Sequence, residues 1–278
     1  MQRLINFIVA LPSEAAPLID ALRLSRCTRT SGAKLYQRDN FRLIVCGVGK
    51  IAAATAVGYI AGTEQADTQH IWLNVGIAGH SSLPKGSVGI AHQVTNKATG
   101  TTHYPAFVFR APCASYALVC HDAPTTTYAG DAMCDMESVG FFAAATRFST
   151  VEFIHSIKII SDNSTADIKA LNRTNIRQMI EAHVALVVSF ANLLEDIAVT
   201  HLTPAIPLPL DSLLARWHFT ATQKTQLTDI ARRWALVQSR HHWPTDELEG
   251  YSSSREVIAH LRAVLDHGTP KQPTSLAT

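Results

Sequence analysis

Two acids bracket the stretch from Asp135 to Asn163 of this 278-residue chain. Glu137, in Asp135-Met-Glu-Ser138, stands at the mouth of the apolar helical segment 139–146. Asp162 follows the strand-like run 153–160. In α/β sheets ligands collect at the carboxyl ends of strands, so an acid just past such a strand is placed for proton transfer. The same position suits the N-cap of a following helix, and local pattern leaves both readings open. A third acid, Glu14, lies in Leu11-Pro12-Ser13-Glu14, where the apolar run 4–11 turns into a helix carrying Leu18 and Leu22.

Met136-Glu137 with its small-residue helix, then Ser161-Asp162 after a hydrophobic strand, resembles the paired signature of the purine nucleoside/uridine phosphorylase superfamily. Within it the resemblance is nearest to the 5′-methylthioadenosine/S-adenosylhomocysteine nucleosidase branch and covers roughly residues 1–200. It implies cleavage of an N-glycosidic bond through an oxocarbenium-like sugar, with two carboxyl groups dividing the work. Asp162 would protonate or hydrogen-bond purine N7. Glu137 would accept the ribose 2′- and 3′-hydroxyls, Met136 would pack on the sugar, and Glu14 would activate water. Ser161, Ile77, Ala78 and Gly79 would contact the substrate, and Lys158 stands where the nucleosidases carry an arginine.

Phosphorylases of this superfamily hold inorganic phosphate with arginines in the loop after the first strand and just before the Gly-x-x-Gly turn, because Arg binds phosphate bidentately. Here those places hold 11–14 and Asn74. A carboxylate where phosphate should sit would repel it, so hydrolysis of a purine nucleoside is expected, a 5′-modified adenosine among the candidates. Phosphorolysis and a non-catalytic nucleoside-binding module remain the alternatives. Ile77 replaces a serine, His80 replaces a glycine, and the 120–132 segment that should line the base is shorter than in the usual nucleosidases. Tyr128, Phe107 and Tyr104 are its aromatic candidates, although an aromatic in a strand is more often plain core.

The elements that must position these groups read as an α/β three-layer sandwich around a mixed central sheet, residues 1–200, followed by a helical C-terminal extension, 201–278. Strands are expected at 4–11, 33–38 and 41–46 around an Asp39-Asn40 turn, 70–75, 87–95, 102–110, 115–120 and 153–160. The sequence 47–50, Gly-Val-Gly-Lys, lacks phosphate-loop spacing and reads as a tight turn into a helix over 51–62. After the strand 70–75, Gly76-Ile77-Ala78-Gly79 would let a flat ligand approach the backbone. One long helix is expected within 164–197, then a proline-rich linker at 204–209, helices at 211–218, 220–240 and 254–267, a capping box at Thr220 and Gln223, and a frayed tail over 268–278.

Hydrophobic content of 47% and charged content of 17% exclude disorder, and a net charge of +2 gives no general case for nucleic acid, which is not expected as a partner. The charged amphipathic helices of the extension read as a solvated face. Five cysteines without Cys-x-x-Cys spacing read as reduced core residues. His92, His103 and His121 lack metal-ligand spacing, so neither a metal nor a cofactor is expected. The apolar start is too short for a signal peptide or a membrane span. A cytoplasmic homodimer or higher homo-oligomer acting on a small-molecule nucleoside is the expectation.

Overall fold

The computed structural model describes residues 3–28, 32–64, 68–128, 130–164, 171–202, 210–237 and 246–267. The chain divides into two compact units, Met1–Ile197 and Ala198–Thr278. In the first, the order is β1 (Arg3–Val9), α1 (Pro12–Ala21), β2 (Ser25–Arg26), β3 (Lys34–Arg38), β4 (Phe41–Val45), α2 (Lys50–Thr63), β5 (Gln69–Gly79) and β6 (Val88–Asn96). Next come β7 (Thr102–His103), β8 (Ser115–Cys120), β9 (Met133–Asp135), α3 (Ser138–Ala145), β10 (Ile154–Asp162), α4 (Arg173–Glu181) and α5 (Val184–Leu202).

The strands form one mixed sheet in the order β10-β6-β8-β9-β5-β1-β4-β3-β2, with β7 on β6 and a further pairing of β10 with β5. That last pairing closes β5, β10, β6, β8 and β9 into a ring, from which the sheet opens through β1 and β4. Strands β4, β1, β5 and β10 run parallel, so their carboxyl ends gather on one edge. Of these, β1, β5 and β10 are buried along nearly their whole length, as expected of strands covered on both faces. On β1, Ile8 joins the cluster formed with Ala53, Val57 and Ile60 of α2 and Phe141, Phe142 and Ala145 of α3, while its neighbours Phe7 and Val9 point to the other face. Helices α1 and α4 pack on each other and on β5. The result is the three-layer α/β sandwich.

Several expectations change in detail. The strand β5 runs four residues beyond Val75, because Gly76 to Gly79 stay paired with β10. The 102–110 strand shrinks to Thr102–His103, since Pro105 has no N–H to offer a ladder. The single helix within 164–197 becomes α4 and α5, bent by 52°. At the break, the His183 ring bonds the Gly86 carbonyl (2.7 Å), and α4 has its own N-cap, Asn172, whose side chain accepts from Asn175 N (2.9 Å). The Asp39 turn joins β3 to β4 at φ 51°, and Gly47 and Gly49 take φ of 91° and 107° in the tight turn before α2.

In the second unit α6 (Leu210–Arg216), α7 (Ala221–Val237) and α8 (Ser254–His267) enclose a core that includes Leu213, Trp217, Phe219, Ile230, Trp234 and Leu261. The capping box forms: Gln223 Oε1 accepts Thr220 N (2.9 Å) and Thr220 Oγ1 accepts Gln223 N (3.3 Å). The expected linker and tail lie outside the described residues. Among those described, no single helix is long and apolar enough to cross a membrane.

Helix α3 meets the start of α2 at Gly140, where a Cβ would fall 1.9 Å from the Lys50 carbonyl oxygen. Backbone cannot yield as a flexible side chain does, so Gly140→Ala is expected to destabilise the fold by about 1–3 kcal/mol. Urea unfolding of the variant should show a lower midpoint at unchanged slope; an unchanged midpoint would mean that the two helices are not in contact there.

Candidate active site

The carboxyl edge of the parallel strands carries a cavity of about 240 Å³. Glu14, Ile77, Ala78, Gly79, Met136, Glu137, Ser161 and Asp162 line it, so eight of the nine residues singled out by sequence come together. The ninth, Lys158, lies behind the wall, 1% exposed, with its Nζ 2.9 Å from Asp135 Oδ2.

Glu14 is placed by a gap in the sheet. Strand β1 pairs with β5 only as far as Ile8 opposite Asn74, and β9 reaches β5 only at Gly79. Between those points β5 needs an acceptor for its N–H groups on that side. The Glu14 carboxylate supplies it, taking Ile77 N on Oε1 (2.9 Å) and, from the third position of α1, Leu11 N on Oε2 (2.8 Å). Gly76 makes room: a Cβ there would stand 2.8 Å from Glu14 Oε1. Burial pushes the Glu14 carboxyl up to about 7, against the two N–H bonds and the Lys158 charge that favour the anion.

Glu137 precedes α3 and reaches across to the tight turn, where its Oε1 accepts Gly49 N (2.8 Å). Asp135, rather than Glu137, caps α3: its Oδ2 accepts Ser138 N (3.0 Å) and its Oδ1 the Ser138 hydroxyl (2.7 Å). Burial raises the Glu137 pKa and nearby Lys158 opposes the rise. For Lys158 the balance is reversed. Burial works to lower its pKa, but Asp135, Glu137 and Glu14 together outweigh it and hold the ammonium above its usual range.

Asp162 ends β10 at an irregularity. Ile160 is opposite Ala78, yet Asp162 is opposite Gly79, so one extra residue is inserted at Ser161. Such a bulge redirects side chains that would otherwise alternate, and Ser161 and Asp162 both reach the cavity. The Ser161 hydroxyl donates to Asp162 Oδ1 and the Tyr128 hydroxyl to Oδ2. Among the described residues the Asp162 side chain caps no helix, and the next described helix is capped by Asn172.

Of the aromatic candidates, Tyr128 is at the site. Tyr104 is 66% exposed, and Phe107 belongs to a cluster with Phe109 and His155 at ring distances of 5.6 Å. Asn74 is buried in the sheet, its amide donating to Ile8 O (3.1 Å) and its oxygen accepting from Ser156 (3.2 Å). Asp135 was missed by sequence reasoning, whereas the 120–132 segment expected at the site supplies His121, Pro124 and Thr125 to the cavity lining. The one available signal was a lysine inside an apolar strand, which needs a buried acid as partner. Among the described residues no group of three or more His, Cys, Asp or Glu side chains could hold a metal ion.

The raised Glu14 pKa makes stability depend on pH. A carboxyl whose folded pKa exceeds its unfolded value of 4.5 contributes stability that is complete below 4.5 and is lost as pH climbs through about 7. From pH 4 to 8 the stability of wild type relative to Glu14→Gln should fall by on the order of 3 kcal/mol. Paired urea titrations across that range check it; a difference that does not change with pH would contradict the assignment.

No family model and no curated protein sequence matches the chain. Solved structures do match. The apo 5′-methylthioadenosine nucleosidase of Arabidopsis thaliana aligns at 15% identity with a TM-score of 0.57, over 70% of this chain and 96% of that one. The 5′-methylthioadenosine/S-adenosylhomocysteine nucleosidase of Helicobacter pylori aligns at 11% and 0.57, over 69% and 98%. The futalosine hydrolase of the same organism aligns at 11% and 0.55, over 69% and 97%. At such identities the likeness is one of fold: this chain is built on the nucleoside phosphorylase/nucleosidase fold.

Proposed function

We propose that this protein hydrolyses the N-glycosidic bond of a purine nucleoside, with 5′-modified adenosines as the first substrates to try. The observation that carries the reading is the make-up of the cavity: Glu14, Asp135, Glu137 and Asp162 line it, and among the described residues no Lys or Arg does. Phosphate would meet carboxylates at low dielectric with no fork to hold it, whereas water needs only a base.

In this mechanism the C1′–N9 bond breaks with its electron pair moving into the base. Asp162 delivers a proton to N7, so the purine leaves neutral. Positive charge on the sugar ring is stabilised by the surrounding carboxylates. Water attacks C1′ from the opposite face and gives its proton to Glu14, whose pKa near 7 suits a base working at neutral pH. Glu137, fixed by Gly49 N, accepts the ribose hydroxyls, and Met136 packs on the sugar. Lys158 acts from behind the wall, pairing with Asp135 and opposing the burial that raises the Glu137 pKa. The nucleosidase names of the structural neighbours support the same reaction class.

Asp162→Asn can still meet N7 but donates no acid proton, so base release should fall by about 10²–10⁴-fold with substrate binding largely kept. For the wild type, kcat/KM should rise with pH through about 7 as Glu14 ionises. Mass spectrometry of products formed in oxygen-18 water, at zero and at saturating phosphate, should find labelled free sugar and no sugar 1-phosphate. Unlabelled sugar 1-phosphate would make the protein a phosphorylase, and no base release from any purine nucleoside would leave a binding module.

A further inference from the structure

Both oxygens of Asp162 are already engaged in the unliganded site, Oδ1 by the Ser161 hydroxyl and Oδ2 by the Tyr128 hydroxyl. The Tyr128 ring lies against the Cα of Gly79. A Cβ built at Gly79 would stand 2.5 Å from Tyr128 Cε1, 2.9 Å from its hydroxyl oxygen and 2.8 Å from Asp162 Oδ2. One flat ring, bearing one donor aimed at the acid, thus fills the only kind of surface that lets a flat group touch strand backbone. Resting on the purine reading given above, we propose that Tyr128 occupies the base subsite of the empty enzyme, its hydroxyl standing where purine N7–H will stand, and that the incoming base displaces it.

Four further observations agree. Gly79 and Asp162 are fixed in the sheet, with Gly79 paired to both Asp162 and Cys134, so neither can move aside. Tyr128, by contrast, belongs to the connection between β8 and β9. The near end of that connection is held by His121 N on Asp135 O (2.8 Å) and by the Lys50 to Asp122 ion pair (2.5 Å), and beyond these the nearest bond is local, Thr127 N to Thr125 Oγ1 (3.1 Å). Among the described residues, swinging the tyrosine out breaks one side-chain hydrogen bond and no strand pairing. The cavity that Gly79 and Asp162 line, about 240 Å³, is also smaller than the roughly 300–1,000 Å³ usual for small-molecule sites. Burial, reinforced by the Asp162 contact, raises the phenol pKa, so the hydroxyl remains a donor throughout the working range of pH.

A displaced plug weakens binding of base and nucleoside alike, because each must first break the tyrosine's bond to the acid. Removing that bond should therefore tighten binding. Calorimetric titration of wild type, Tyr128→Phe and Tyr128→Ala with adenine, hypoxanthine and guanine tests this. A hydrogen bond that the base must first break is worth enough that Tyr128→Phe should bind the preferred base up to roughly tenfold more tightly, and KM for the nucleoside should fall in step while kcat does not rise. Tyr128→Ala should also bind at least as tightly as wild type. If bases bind wild type and both variants bind equally or more weakly, the tyrosine supports or stacks on the base and the plug is wrong, while the purine reading stands. If no purine base binds any of the three proteins, the purine reading fails and the plug with it.

Discussion

One buried ammonium holds the site together. Lys158 comes from the middle of a strand with almost no exposed surface, and three carboxylates from three other elements surround it: Asp135 from β9, Glu137 from the start of α3 and Glu14 from α1. Burying a lysine without partners costs several kcal/mol, and removing one partner of such a buried pair costs about 3–5 kcal/mol. The pull is mutual. Burial raises the pKa of both Glu14, to about 7, and Glu137, and the Lys158 charge opposes each rise. The acid best suited to trade protons with water is thus set chiefly by its burial.

Much of this was legible in the sequence because it rests on local pattern. Glu14 in a strand-to-helix turn, Met136-Glu137 before a small-residue helix and Ser161-Asp162 after an apolar strand are short-range signals, and they converge on one cavity. What was not legible depends on distance along the chain. Asp135 sits in the same tetrapeptide as Glu137 and looks no different from a cap, which it also is; its pairing with Lys158, across an intervening helix, exists only after β9 and β10 have joined the same ring. The bend between α4 and α5 arises where His183 reaches the Gly86 carbonyl, a contact no helical periodicity encodes. Phe107 misled for a related reason. Its run looks like a strand, but Pro105 cannot donate to a ladder, and the ring joins the core around His155 instead.

The acids differ in what carries them. Glu14 and Glu137 are anchored by backbone N–H groups of a neighbouring element, and Asp162 by the bulge that ends its own strand. Each anchor depends on a glycine or a gap: Gly76 beside Glu14, Gly49 at positive φ opposite Glu137, Gly79 beside Asp162. The glycines near the site therefore act through the space and backbone geometry they leave to the carboxylates.

The pairing of β10 with β5 has a consequence beyond catalysis. A sheet with free margins offers rows of unpaired N–H and C=O groups to any passing strand, and edge-to-edge association follows. Here the strands around the cavity close on one another, and the margins left among the described residues are β2 and β7, each two residues long. Both are too short to template an added strand, and Ser25 and Arg26 of β2 are exposed. The same closure that fixes the acid at the end of β10 leaves this protein with little open β-edge through which to aggregate.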